Sequence, residues 1–207
     1  MQAMKILVLD NYDSFTYNLV QYIQELLHTK VDVFRNDEIS LESVEAYDVV
    51  VLSPGPGIPS EAGIMPALIA RYASEKILLG VCLGHQAIGE AFGGILQNLA
   101  SVYHGIATPV RRVAADPILL EGIPEVFQAG RYHSWVVQKE SVPDCLLVTA
   151  VDETGEIMAF RHQTYQVFGL QFHPESVMTP EGKQMIANFL THAATETKAR
   201  QQAVRVC

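Results

Sequence analysis

The sequence predicts an α/β domain with a mostly parallel sheet that continues into a mixed extension. In the first half, short unbroken apolar runs alternate with helical patterns, which is typical of strands buried on both faces by crossover helices. In residues 94–170, strand-like segments follow one another with few helical patterns. The chain has 207 residues, 49% of them apolar, which is enough for one compact domain.

Four apolar runs in the first half are predicted to form parallel strands. They lie at residues 6–9, 31–34, 48–52 and 77–81. After the first run, apolar residues recur at helical spacing over residues 15–27, and Asp13 or Ser14 is placed to cap that helix. Residues 85–92 are predicted to form another helix. The third and fourth runs lead into unusual loops, and ligands bind at this edge of open parallel sheets.

The second half is predicted to extend the sheet and then to end in a helix. The strand-like segments lie at residues 95–99, 110–113, 126–129, 146–151, 157–161 and 167–170. Residues 180–194 show a helical pattern with Met185, Ile186 and Phe189 on one face. We therefore expect one domain over residues 1–194, followed by a polar C-terminal tail over residues 195–207.

Composition excludes several classes of function. The net charge of −9 argues against nucleic-acid binding, because phosphate contacts need clustered Lys and Arg. The three cysteines, Cys82, Cys145 and Cys207, are too few for a disulfide framework and contain no C-x-x-C pair. The N-terminus lacks a signal-peptide pattern, and no apolar run approaches the roughly 20 residues that span a bilayer. We expect a cytoplasmic protein outside the membrane.

Cys82 is the candidate nucleophile. The pattern Gly80-x-Cys82-x-Gly84 matches a nucleophile elbow, a tight strand-to-helix turn that exposes the central side chain. The N-terminus of the following helix would stabilise a thiolate at this position. The alternative is an inert core thiol, which is the usual state of an intracellular cysteine. Neither Cys145 nor Cys207 lies in such a strand-to-helix turn pattern.

His173 and Glu175 are the candidate base and its orienting group. A cysteine nucleophile needs both within hydrogen-bond reach. Glu175 follows His173 by two residues, so in an extended segment both side chains lie on the same side, and Pro174 fixes the backbone between them. His133 is the next candidate among the seven histidines, but no carboxylate accompanies it.

The loop Pro54-Gly55-Pro56-Gly57 is a candidate for one half of an oxyanion hole. Its prolines stiffen the backbone, while the N–H groups of Gly55 and Gly57 stay free to donate. The second donor would be the N–H of Leu83, directly after the nucleophile.

Three other types of site lack required residues. His-x-Glu also begins the zinc-deaminase signature, but that signature needs a later Pro-Cys-x-x-Cys, and only Cys207 follows. The Pro/Gly loop is not a phosphate-binding loop, because no Gly-Lys-Ser/Thr follows it. Ser60 stands where a dinucleotide fingerprint has glycine.

Together these motifs resemble the class I (triad-type) glutamine amidotransferases. In that family Pro-Gly-Pro-Gly, Gly-x-Cys-x-Gly-His-Gln and a late His-Pro-Glu occur together, and all three are present here. The resemblance extends over about residues 5–192. The segment NYDSFTYNL at residues 11–19 is similar to the glutaminase subunits of anthranilate synthase and of aminodeoxychorismate synthase.

The resemblance implies a three-layer, flavodoxin-like α/β fold and a cysteine-dependent glutaminase. It implies a triad of Cys82, His173 and Glu175, with the Gly57 and Leu83 amides as oxyanion hole. Glutamine recognition would fall to Gly55, Pro56, Gly57, Gln86, Ser134 and Trp135. Two positions depart from the family pattern, since Trp135 replaces an expected leucine and Ile106 replaces a common lysine.

The resemblance also implies a partner. Free ammonia becomes ammonium in neutral water, so it should be passed on internally, and the motifs leave no room for an acceptor domain. We expect L-glutamine as substrate and a chorismate-binding synthase chain as partner, in a heterodimer or heterotetramer. No cofactor or metal is expected in this subunit; Mg²⁺ would sit with chorismate on the partner. Residues 12–14 and 103–105 are expected at the interface, with local packing as the alternative.

Several functions fit these expectations. The favoured one is the glutaminase subunit of anthranilate synthase, in tryptophan biosynthesis. The alternatives are the glutaminase subunit of aminodeoxychorismate synthase, in the 4-aminobenzoate pathway, and a stand-alone γ-glutamyl cysteine hydrolase. A non-catalytic regulatory subunit is disfavoured by the intact Cys82, His173 and Glu175.

Overall fold

The computed structural model describes residues 4–100, 102–115 and 118–206, with side chains as far as residue 203. The strands in these residues are β1 (Ile6–Asp10), β2 (Asp32–Arg35), β3 (Val49–Leu52), β4 (Ile77–Val81), β5 (Leu96–Asn98), β6 (Ile106–Arg112), β7 (Val126–Arg131), β8 (Trp135–Val137), β9 (Leu146–Asp152), β10 (Ile157–His162) and β11 (Val167–Leu170). The α-helices are α1 (Thr16–Leu27), α2 (Met65–Tyr72), α3 (Leu83–Ala91) and α4 (Gly182–Val206).

The main sheet has nine strands in the order β2-β1-β3-β4-β11-β10-β9-β6-β7. The first five are parallel to one another. The remaining four continue the sheet in antiparallel pairs. The predicted mostly parallel sheet with a mixed extension is therefore confirmed. All residues of β1, β3, β4 and β11 are buried, which explains their apolar sequence up to Asp10, the last residue of β1.

Helices cover both faces of the parallel part, giving three layers. Alternate residues of β1 separate into two cores, with Ile6 and Val8 in one and Leu7 and Leu9 in the other. The first core is closed by apolar residues of α1 and α4, and the second by those of α2 and α3. The predicted three-layer α/β architecture is confirmed.

The structure adds elements that the sequence patterns did not predict. Helix α2 has only eight residues and follows the Pro/Gly loop. Strand β8 was also missed; it pairs with β5 in a separate two-stranded sheet, so the segment predicted at residues 95–99 does not extend the main sheet. Strand β6 begins at Ile106 rather than at residue 110, and it accommodates Pro109 within the strand.

The predicted cap of α1 is wrong. Phe15 is the N-cap residue and makes no side-chain cap hydrogen bond. Asp13 instead accepts the N–H of Phe15 at 2.8 Å, and Thr16 Oγ1 donates to Asp10 Oδ1 at 2.7 Å. The Asp13 carboxylate therefore shapes the loop before the helix, while Asp10 holds the side chain of the first helical residue.

Most of the predicted polar tail is helical. Helix α4 continues as far as Val206, while Cys207 lies outside the described residues. Thr197 is buried, and the Arg200 guanidinium donates to the carbonyl of Glu75, so the polar segment still packs on the domain. No described helix is both long and apolar enough to cross a membrane.

Candidate active site

Cys82 stands on a strained turn between β4 and α3. Its φ of 53° and ψ of −99° lie outside the regions that side-chain-bearing residues prefer. A Cβ on Gly80 would come within 2.4 Å of Gly84 backbone atoms, and a Cβ on Gly84 within 2.5 Å of Leu52 O. The Cys82 N–H donates to Leu170 O at 2.8 Å. The glycine spacing in the sequence therefore reflects backbone crowding at a nucleophile elbow.

His173 and Glu175 form a buried pair after β11. The distance between His173 Nδ1 and Glu175 Oε1 is 2.7 Å, and the side chains are 2% and 0% exposed. The His173 carbonyl accepts a hydrogen bond from Thr179 Oγ1 at 2.7 Å, which fixes the backbone. An ionised carboxylate only accepts, so Nδ1 carries a proton and Nε2 is left for Cys82.

Cys82 acts electrostatically on His173. Burial disfavours the imidazolium, but the opposite charge of Cys82 and the hydrogen-bonded Glu175 outweigh burial and raise the pKa of His173 well above its usual value. No hydrogen bond of good geometry joins Nε2 to a described residue. Such contacts tighten when substrate binds. The arrangement favours a protonated imidazole at His173.

The Pro/Gly loop lies against the start of α3. A Cβ on Gly55 would come within 2.6 Å of Asn11 Cβ and 2.7 Å of Leu83 Cδ2. Gly57 has a φ of +75°, and its N–H donates no hydrogen bond to a described residue. Leu83 is the first residue of α3, where an N–H has no acceptor within the helix. The Pro/Gly loop therefore contacts the elbow through Gly55 and Leu83, and the role of the Gly57 and Leu83 amides as oxyanion donors stays a prediction.

Asn11 is a site residue that sequence reasoning missed. Its backbone N–H donates to Ser53 Oγ at 2.8 Å, and its Nδ2 donates to Ser53 O at 2.9 Å. Asn36 Nδ2 donates to Asn11 Oδ1 at 3.0 Å. Asn11 thus anchors the residue that precedes the Pro/Gly loop. The segment NYDSF indicated a resemblance to a family, but nothing in its pattern indicated this contact.

Gln86, Ser134 and Trp135 meet on one side of the elbow. Gln86 is buried, and its Nε2 donates to Trp135 O at 2.8 Å. The Leu99 N–H donates to Ser134 O at 2.7 Å. Trp135 therefore contacts Gln86 through its backbone, which is compatible with tryptophan in place of leucine. The other departure, Ile106, lies at the exposed first position of β6.

The structure disfavours His133 as an alternative base. Burial and then the charge of Arg131 lower the pKa of His133 to about 3. His133 Nδ1 lies 3.0 Å from Trp135 O, and a carbonyl only accepts, so this nitrogen carries the proton. Its Nε2 accepts from Arg131 Nε at 3.1 Å. Both ring nitrogens are thus occupied, which leaves none to act as a base.

A buried ion pair supports the turn that contains His133. Arg131 Nη1 lies 2.7 Å from Asp152 Oδ2, and the side chains are 1% and 4% exposed. Tyr103 covers the guanidinium, with Arg131 Cζ 3.6 Å from the ring centroid. Sequence reasoning missed Arg131 and Asp152. The only available signal was the presence of Arg131 two residues before a candidate histidine.

Two aromatic side chains lie against His173. The rings of Phe15 and Tyr132 contact His173 edge-on, with centroid distances of 5.4 and 4.8 Å. Phe15 belongs to the segment that precedes α1, so the loop after β1 contacts His173 directly. Within the described part of the chain, no group of three or more His, Cys, Asp or Glu side chains could hold a metal ion.

Comparisons with known proteins identify the family of this chain. Residues 7–193 match the model of the family Glutamine amidotransferase class-I. Anthranilate synthase component 2 of Pseudomonas aeruginosa is 50% identical over 192 residues, which cover 89% of this chain and 94% of that protein. Aminodeoxychorismate synthase component 2 of Escherichia coli is 46% identical over 187 residues, covering 89% and 98%.

A solved structure extends the comparison to the fold. A glutamine amidotransferase from Thermotoga maritima matches with a TM-score of 0.77 at 15% identity, covering 93% of this chain and 99% of that one. At this identity the likeness concerns the fold alone. With the family match over nearly the whole chain, the three-layer fold and the elbow geometry, the chain belongs to the class I glutamine amidotransferases.

Proposed function

We propose that this chain is the glutaminase subunit of anthranilate synthase, which hydrolyses L-glutamine and passes ammonia to a chorismate-binding subunit. The observation that carries the glutaminase assignment is the strained Cys82 elbow together with the buried His173–Glu175 pair. The name of the Pseudomonas aeruginosa relative supports the choice of anthranilate synthase.

The proposed reaction has two steps. The Cys82 thiolate attacks the side-chain amide carbon of glutamine, and the Gly57 and Leu83 N–H groups stabilise the oxyanion. The His173 imidazolium donates its proton as the C–N bond breaks, which releases ammonia and leaves a γ-glutamyl thioester. His173 then takes a proton from water, which attacks the thioester to give glutamate and regenerate Cys82. Glu175 holds the imidazole in the required orientation.

Glutamine recognition is proposed for the groups around the elbow. The amide Nε2 of Gln86 already donates to Trp135 O. The Oε1 of Gln86 is therefore the group left to accept a hydrogen bond from the α-ammonium group of the substrate glutamine. A substrate carboxylate needs donors, and the half-buried Ser134 offers its hydroxyl. Gly55, Pro56 and Gly57 would complete the site with their backbone.

The synthase subunit is proposed to dock over the mouth of the site. Segments that carry or adjoin the site expose apolar side chains, notably Tyr12, Ile106 and Val177, and Val177 is 93% exposed. Exposed apolar groups beside a site indicate a contact surface. A synthase subunit docked there would cover the elbow. It would receive ammonia before the ammonia is released to water. We place the complex in the cytoplasm, as a heterodimer or heterotetramer, with Mg²⁺ on the partner only.

The decisive test is glutamine-dependent anthranilate formation with chorismate and the synthase chain. We expect Cys82→Ser to lose this activity, because serine lacks a comparably nucleophilic anion at neutral pH. Ammonium salt should still support synthesis by the mutant complex, which serves as the control for assembly. Retention of glutamine-dependent activity by Cys82→Ser would contradict the mechanism.

A second candidate is the glutaminase subunit of aminodeoxychorismate synthase, favoured by the Escherichia coli relative. The same assay with that synthase in place of the first distinguishes the two. Aminodeoxychorismate formation alone would reassign the pathway and keep the mechanism. Glutamine hydrolysis that neither synthase changes would indicate a stand-alone γ-glutamyl hydrolase.

A further inference from the structure

Gln171 lies beside the nucleophile although it is outside the triad. It follows β11 directly and is fully buried. Its backbone N–H donates to Met158 O at 2.9 Å, which fixes the backbone from which the side chain extends. Its side-chain Nε2 lies 3.8 Å from Cys82 Sγ, within hydrogen-bond range for sulfur.

The polarity of the Gln171 amide is set by a backbone carbonyl. Trp135 O can only accept, so the Nε2 end of Gln86 must face it, at 2.8 Å. The same Nε2 lies 3.4 Å from Gln171 Oε1. The oxygen of the Gln171 amide therefore faces Gln86, and its NH₂ group is left to face the sulfur. We call Trp135 O, Gln86 and Gln171 the amide relay.

The amide relay is anchored away from the sulfur. His133 Nδ1 donates to the same Trp135 carbonyl, and Arg131 donates to His133 Nε2. Arg131 is in turn paired with the buried Asp152. These buried contacts prevent Trp135 O from rotating away, so the amide orientation is determined before substrate arrives.

We propose that Gln171 is a further catalytic residue, which donates a hydrogen bond to the Cys82 thiolate and holds the sulfur for attack. This inference rests on the proposed function, because it takes Cys82 as the nucleophile. A hydrogen bond to the charged form of a group favours that form. The amide is neutral, so it stabilises the anion without competing with the positive charge on His173. Gln86, His133, Arg131 and Asp152 act as positioning residues.

The test uses Gln171→Met, which removes the donor and keeps a side chain of similar length. The rate of iodoacetamide alkylation at Cys82 is measured against pH by mass spectrometry of its peptide. Loss of a hydrogen bond to an anion should raise the pH of half-maximal alkylation by about one unit. Glutamine-dependent kcat should fall by roughly tenfold, while ammonium-dependent synthesis is unchanged. Cys145, a free and half-buried thiol in the same chain, is the internal control.

Gln171→Glu keeps the test decisive if the methionine variant does not fold. A carboxylate can still accept from Gln86, but it presents negative charge to the sulfur instead of a donor, so the alkylation profile should move further than in Gln171→Met. A structural role would lower Tm and slow alkylation at every pH without moving the midpoint. An unchanged midpoint in the folded variants would overturn the proposal. Failure of the proposed function is separate, since it would appear as activity in Cys82→Ser.

Discussion

Two regions build the site, and they are held by different forces. The elbow, residues 80–84, is fixed by backbone packing, because a single added carbon at Gly80 or Gly84 would meet backbone atoms. The turn, residues 131–135, is fixed by side chains through the Arg131–Asp152 pair and His133. The elbow should therefore tolerate no added atom, whereas the turn should tolerate no lost charge or hydrogen bond.

Breaking the ion pair of the turn should have the largest effect on stability. Asp152→Asn leaves the Arg131 charge buried without its counter-charge, and removal of one member of such a pair costs about 3–5 kcal/mol. Urea unfolding near neutral pH measures the loss. Glutamine KM should rise as well, because the turn loses its anchor.

A surface ion pair provides the matched control. Lys183 and Glu25 are also 2.7 Å apart, but their side chains are 50% and 43% exposed. Glu25→Gln should leave the free energy of unfolding nearly unchanged, because solvent screens an exposed ion pair. An equal loss of unfolding free energy in Asp152→Asn and Glu25→Gln would show that burial does not determine how strongly the Arg131–Asp152 pair stabilises the turn.

Adding one carbon to the elbow should have the next largest effect. In Gly84→Ala the new Cβ would lie 2.5 Å from Leu52 O, a backbone atom that cannot move cheaply. Overpacking of this kind costs about 3 kcal/mol. Glutaminase activity should also fall, because relief of the clash displaces Cys82. Unfolding free energies and glutaminase rates measure the two effects.

Gly122→Ala separates crowding from backbone strain. At Gly122 the φ is +72°, but an added Cβ meets nothing within 4 Å. We expect a loss of about 1 kcal/mol from conformation alone, with glutaminase activity retained. If Gly84→Ala lowers the free energy of unfolding no more than Gly122→Ala does, backbone crowding does not fix the elbow.

The sequence was informative where the controlling contacts are local. The spacing of Gly80, Cys82 and Gly84 indicated the elbow, and Glu175 lies only two positions after His173, so both could be predicted. By contrast, Arg131 and Asp152 are 21 positions apart in the sequence. Their contact depends on the sheet order β9-β6-β7, which places the ends of β7 and β9 on either side of β6.

The same distinction applies to the fold and to the amide relay. The parallel strands were readable because burial on both faces leaves an apolar run, whereas the last part of α4 is mostly polar and packs through few residues, such as Thr197. Gln86 and Gln171 are 85 residues apart and meet only because α3 and β11 both adjoin β4. No pattern in one chain encodes such a meeting.

After the ion pair and the elbow, the titration of His133 should have the smallest of the three main effects on stability. Its pKa is about 3 in the folded protein against an ordinary 6.5, mainly because burial disfavours the charged ring. A depressed pKa means that the unfolded chain binds the proton first, so stability is complete above about pH 6.5 and falls as pH drops towards 3. Between about pH 7 and pH 5 this group alone should remove about 2 kcal/mol.

His133→Gln isolates this contribution. A glutamine amide can still donate to Trp135 O and accept from Arg131, but it does not titrate, so the turn keeps its contacts. The drop in unfolding free energy between about pH 7 and pH 5 should be about 2 kcal/mol smaller than in the wild type. The contribution of His173 to stability changes with pH in the opposite direction, because its raised pKa adds stability that is lost as pH rises. If both proteins lose the same free energy over this range, His133 is charged in the fold and the turn is not held by a neutral imidazole.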